Sequence, residues 1–112
     1  MSIEIQSEDV LVITLPAEPE IRKVLDNLLK LLQEGRPYDV VVDFSVVDIM
    51  TSLTLSGFLK LRELLANRGR RLIFSNTAPI TKDIFRTTCF TGLFDFIDDK
   101  AEALSSLTAV KK

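Results

Sequence analysis

VVVDFSVVDIMTSLTLSGFLKLRELLANRGRRLIF, residues 40–74, holds the pattern that decides the fold. Val40, Val41, Val42 and Phe44 form a nearly continuous β-branched and aromatic run, as expected of a strand covered on both faces in the middle of a sheet. From Ser52 to Asn67 the period changes: Phe58, Leu61, Leu64 and Leu65 recur at helical spacing, and Gly69 supplies the stop. Leu72, Ile73 and Phe74 then make a second buried strand. Strand, helix and strand in this order call for a crossover between parallel neighbours.

The pattern continues on both sides. Upstream, Ile3 and Ile5 followed by Val10 to Leu15 read as two short strands around a polar turn at Ser7 to Asp9, an opening hairpin. Between Pro19 and Gln33, Ile21, Val24, Leu25, Leu28, Leu29, Leu31 and Leu32 place one broad apolar face on a helix that Gly35 and Pro37 end. Downstream, Asn76 to Pro79 form a turn, and Ile80, Ile84 and Phe85 a short helix with Pro79 in its first turn. Phe94, Phe96 and Ile97 suggest a last strand, and Lys100 to Leu107 a closing helix capped by Asp98 and Asp99. The expected fold is α/β: a mixed, mostly parallel central sheet of about four to five strands with about four helices and an opening β-hairpin. Residues 1–112 form one domain, with no internal repeat, low-complexity tract or linker.

Composition narrows the chemistry. The formal net charge of −2 gives no general positive field for a nucleic-acid backbone, so direct nucleic-acid binding is disfavoured. The densest basic stretch, Arg68, Arg70 and Arg71, reads as a solvated turn. There is no histidine, which removes the commonest general base and imidazole ligation together. Gly35, Gly57, Gly69 and Gly92 are isolated, so no phosphate-cradling loop is visible. The single cysteine, Cys89, allows no intrachain disulfide and reads as a spectator. Asp43 and Asp48 flank the end of the central strand, where Asp43 reads as a structural polar residue. No catalytic residue, metal site or cofactor is expected, and the chain is not expected to be an enzyme. It carries no export-type leader and no apolar run approaching roughly 18 residues, so a cytoplasmic location without membrane contact is expected. Nothing in the sequence sets the oligomeric state.

The densest chemistry lies at the strand-to-helix transition, where Thr51, Ser52, Thr54 and Ser56 bring four hydroxyls into six residues. Capping accounts for one or two of them. A helix start also stabilises an added phosphate, which makes a hydroxyl there a candidate switch as well as a cap.

Taken in order, Val40-Val41-Val42-Asp43-Phe44-Ser45, Val47-Asp48-Ile49-Met50-Thr51-Ser52, Arg71-Leu72-Ile73-Phe74-Ser75-Asn76 with Pro79 and Ile84-Phe85, and Thr91-Gly92-Leu93-Phe94 resemble a STAS domain of the anti-sigma factor antagonist type. The resemblance implies a regulatory protein that binds an anti-sigma factor with serine kinase activity. It makes Ser52, and less so Thr51, the phosphorylation candidate, and Thr51, Ser52, Leu53, Thr54 and Ser56 the partner-binding segment. Thr51 stands where the family has aspartate, and Leu53, Thr54 and Ser56 replace small and glycine residues. Those departures favour the alternative, a STAS scaffold or adaptor module that binds without phosphorylation.

Overall fold

β-Branched side chains pack well on a pleated surface, and Val40 to Val42 place three in succession at the centre of the molecule. In the computed structural model, which describes residues 2–17, 20–35, 38–47, 52–88 and 95–110, this run lies in a fully buried strand. The element order is β1 (Ser2–Ser7), β2 (Val10–Thr14), α1 (Ile21–Glu34), β3 (Asp39–Asp43), α2 (Ser52–Asn67), β4 (Leu72–Ser75), α3 (Pro79–Thr88), β5 (Asp95–Ile97) and α4 (Lys100–Val110). The strands form one five-stranded sheet in sequential order, β1-β2-β3-β4-β5. Only β1 runs antiparallel to its neighbour; β2 to β5 are parallel. The expected mixed sheet, hairpin and helices are therefore present.

Alternation along the strands sorts the core into two layers. Leu11, Ile13, Val40, Val42 and Phe74 face α1, α2 and Phe85 of α3. Val10, Val12, Val41 and Ile73 face the other way, onto Ala103 and Leu107 of α4. On the first face Phe44, Phe58, Phe74 and Phe85 form a closed aromatic group with every ring centroid 4.9–6.0 Å from the other three.

Three helix ends show which sequence signals were read correctly. Gly69 adopts φ 70°, the left-handed conformation expected of a helix-stopping glycine, just past α2. Gly35 works differently: its φ is −105°, and its N–H donates to Leu31 O at 2.9 Å. A Cβ there would lie 2.9 Å from that same carbonyl oxygen, so close approach is what the position requires. At α4, Asp99 Oδ1 accepts from the N–H groups of Ala101 (2.7 Å) and Glu102 (3.2 Å), leaving Asp98 to reach Lys82 Nζ at 3.3 Å instead. Asp99→Ala is expected to lower stability by about 1 kcal/mol, read from the urea midpoint at unchanged slope.

Two expectations are corrected. Leu31, placed on the buried stripe of α1, is 43% exposed, because the face covered by the sheet and α2 is filled by Ile21, Val24, Leu25, Leu28 and Leu32. The arginine stretch is no solvated turn. Arg68 donates from Nη1 to Leu32 O (2.6 Å) and from Nη2 to Gln33 O (3.2 Å), satisfying carbonyls at the end of α1. Arg70 Nη2 donates to Asp9 O at 2.9 Å, and its Nε lies 3.1 Å from Asp39 Oδ1. Asp39 Oδ1 also accepts from the Arg71 N–H at 2.9 Å. These contacts tie the hairpin turn to the starts of β3 and β4. Pro37, Cys89 and the terminal Lys111 and Lys112 fall outside the described residues.

Candidate functional site

The parallel strands β2 to β5 direct their carboxyl ends to one edge, and the segments leaving β3, β4 and β5 meet there. After β3 the chain is held tightly. Phe44 is buried and its N–H donates to Ser75 O at 2.9 Å; the Val47 N–H donates to Phe44 O at 3.0 Å. Asp43, 6% exposed, accepts from the Ser45 N–H (2.8 Å) and from Asn76 Nδ2 (3.2 Å) through Oδ1. Its carboxylate thus joins the turn after β3 to the turn after β4. Asn76 holds φ 54°, a conformation that asparagine tolerates better than most residues, and donates its own N–H to Asp98 O at 3.0 Å. The reading of Asp43 as a structural polar residue fits this role. Asp48 lies outside the described residues.

The hydroxyl cluster follows directly. Thr51 lies outside the described residues, and Ser52 is the first residue of α2. The side chains of Ser52 and Leu53 are likewise outside the described set. Thr54 is fully buried, so this hydroxyl points away from solvent. Ser56 is exposed, one helical turn beyond Ser52. Thr54 precedes Phe58, Leu61 and Leu65 by four, seven and eleven residues, all of them buried, so helical periodicity already assigned it to the inner face. Gly57 lets α2 approach α1 closely: a Cβ there would meet Leu25 Cδ2.

The same edge carries features the sequence reading passed over. Val46 is 54% exposed on the turn after β3, and Ile80 is 66% exposed in the first turn of α3. The signal for Val46 was an adjacent valine pair in a turn, of which only Val47 enters the core. Ser75 Oγ and Thr77 Oγ1 are buried with no hydrogen-bond partner among the described residues. Among the described residues no group of three His, Cys, Asp or Glu side chains is gathered as a metal site, and no helix is long and apolar enough to cross a membrane.

Comparisons with known proteins agree on the architecture. The anti-sigma factor antagonist SpoIIAA in its unphosphorylated form superposes with a TM-score of 0.81 at 15% identity, covering 96% of both chains. A variant of RsbS from Moorella thermoacetica gives 0.83 at 12% identity, covering 98% of this chain and 96% of that one. An anti-sigma-factor antagonist (STAS) domain protein from Planctomyces limnophilus gives 0.78 at 18% identity, covering 95% and 97%. Comparison with curated protein sequences yields no significant match. The sequence profile of the STAS domain matches residues 6–103, which include β2 to β5, α1 to α3 and the turn between β3 and α2. The chain therefore belongs to the STAS domain family.

Proposed function

We propose that this chain is a cytoplasmic regulatory module of the anti-sigma factor antagonist kind, which docks the start of α2 on an anti-sigma factor with serine kinase activity. The observation that carries this reading is the placement of Ser52: it opens a sixteen-residue helix at the carboxyl edge of the parallel sheet, one turn before the exposed Ser56. Val46, exposed on the preceding turn, adds apolar surface for a protein partner. Thr51, Ser52, Leu53 and Ser56 form the contact segment, while the buried Thr54 holds the helix to the core beneath it. The partner transfers the γ-phosphoryl group of ATP to Ser52 Oγ. The added charge of about −1.5 to −2 then sits in a close interface and weakens the complex. The chain itself is substrate and ligand, with no catalysis of its own.

Ser52→Asp is expected to weaken binding to the anti-sigma factor kinase at least about tenfold, equivalent to about 1.4 kcal/mol. Incubation of the wild type with that kinase and ATP should place a phosphate on Ser52 by mass spectrometry. Modification elsewhere, or complex formation without modification, removes Ser52 as the switch. Thr51 in the position of the family aspartate supports a second reading, a phosphorylation-independent adaptor. On that reading Ser52→Asp leaves affinity within about twofold.

A further inference from the structure

At the outer edge of the sheet no strand lies beyond β1, so its outward row of backbone N–H and C=O groups is open to an added strand. The usual protections of such an edge are thin here. Residues 2–7 read SIEIQS, with no lysine or proline and the single charge of Glu4, and the irregularity in pairing comes only after Ile5. On the α1 face of this edge lies a half-open cleft of about 440 Å³, lined by Ile3, Ile5, Leu11, Leu31, Gly35 and Tyr38. Ile5 is 69% exposed and Leu31 43%. An unpaired strand beside an apolar cleft calls for an occupant that brings backbone hydrogen bonds and apolar side chains together, which is another strand with its own apolar layer.

A second copy of this chain meets both demands. A twofold axis perpendicular to the sheet makes β1 its own antiparallel partner. With the axis at Ile5, Ile5 faces its counterpart and Glu4 faces Gln6 of the other copy, whereas an axis at Glu4 would oppose two carboxylates. The same axis keeps both α1 helices on one face of the joined sheets, running antiparallel. Lys30, Leu31 and Glu34 are exposed on neighbouring turns of α1, and among the described residues neither Lys30 nor Glu34 takes part in an ion pair. Antiparallel helices related by an axis midway between those two charges bring Lys30 of each copy opposite Glu34 of the other, so the surface is complementary to itself.

We propose that two copies of this chain associate through β1, joining their five-stranded sheets into one and closing the cleft with Ile5 and Leu31 of both copies between two reciprocal Lys30 and Glu34 pairs. A six-residue strand, about 20 Å long, and the end of one helix bury less than the roughly 800 Å² per partner of a standard interface, so the dimer is weak, with a Kd on the order of 100 μM. Because the joined sheets run in opposite directions, the two edges that carry Ser52 face opposite ends of the dimer, and the proposal is independent of the Ser52 reading.

The test is sedimentation equilibrium of the full chain from about 10 μM to about 1 mM, where a monomer–dimer equilibrium is expected. Ile5→Lys and Leu31→Glu, at exposed positions where the fold tolerates exchange, are each expected to weaken association at least about tenfold at unchanged far-UV circular dichroism. Lys30→Glu and Glu34→Lys are each expected to weaken it about threefold. An equimolar mixture of these two variants sets opposite charges against each other again and is expected to recover wild-type affinity as a heterodimer, a repair that a structural defect would not show. Ser52→Asp should leave the dimer unchanged. A chain still monomeric at about 1 mM, a dimer indifferent to Ile5→Lys and Leu31→Glu, or charge variants that have no effect or that mixing does not repair would overturn the proposal. A monomer that takes up an apolar dye in the cleft, and loses it in Leu31→Glu, overturns it equally and assigns the cleft to a small molecule or a different protein.

Discussion

Replacing Phe74 with alanine is expected to lower the free energy of unfolding by about 3–5 kcal/mol, a large part of the 5–15 kcal/mol typical of a domain of this kind. Phe74 is fully buried in β4, with ring centroids 4.9 Å from Phe44, 5.3 Å from Phe58, 5.1 Å from Phe85 and 5.5 Å from Phe96. Those neighbours come from the end of β3, from α2, from α3 and from β5, so one side chain binds together every element around the carboxyl edge. Removing it deletes the transfer free energy of a ring and leaves a cavity among rigid aromatic partners that cannot readily close. Urea denaturation of wild type and Phe74→Ala, compared at equal slope, gives the difference. A loss below about 1 kcal/mol would show that the surrounding rings collapse into the space and that the aromatic group is not the mechanical centre assigned to it.

Asp39→Ala is expected to cost about 2–4 kcal/mol, from the opposite edge of the sheet. Asp39 is 6% exposed, and its Oδ1 serves both the Arg71 N–H and the Arg70 guanidinium. Truncation takes the shorter carboxylate contact from a largely buried cation, whose side chain is 20% exposed and which keeps its contacts to Asp9, and removes the acceptor of the Arg71 N–H. Much of the cost comes from the lost contact to the Arg70 guanidinium, so it should shrink when Arg70 is changed first. In a double-mutant cycle, Asp39→Ala on an Arg70→Met background is expected to cost at least about 1 kcal/mol less than on the wild type. Additive losses would mean that Asp39 does not act through Arg70.

Local pattern sufficed where neighbours in sequence decide structure. Val40 to Val42 announced the central strand, the first helical residue of α2 fell on Ser52, and Gly69 and Pro79 marked a helix stop and a helix start in the expected manner. Thr54 was legible too, had its spacing from Phe58 and Leu61 been weighed above its hydroxyl. Arg68, Arg70 and Arg71 depart from the solvated turn expected of a charge run because their partners Leu32, Asp9 and Asp39 stand 32 to 61 residues away and become neighbours only through the packing of α1 beside α2 and the parallel register. Leu31 failed for the converse reason: apolar periodicity says that a helix has a buried face, but the width of that face is set by what covers it. The cleft beside β1 could not be seen from the chain, since β1, β2 and the end of α1 contribute to it jointly.

The bond from the Asn76 N–H to Asp98 O has a consequence for recognition. After β4 the chain turns to the face that carries α3, and after β5 to the face that carries α4. In open α/β sheets such a parting of ways between adjacent strands is where a crevice forms and small molecules settle. Here the two diverging loops are laced to each other, by that backbone bond and by Lys82 reaching Asp98, and the parting is sewn shut at its root. What a visitor meets at this end is a seam to be covered from outside, which suits the broad face of another folded protein better than a metabolite seeking enclosure.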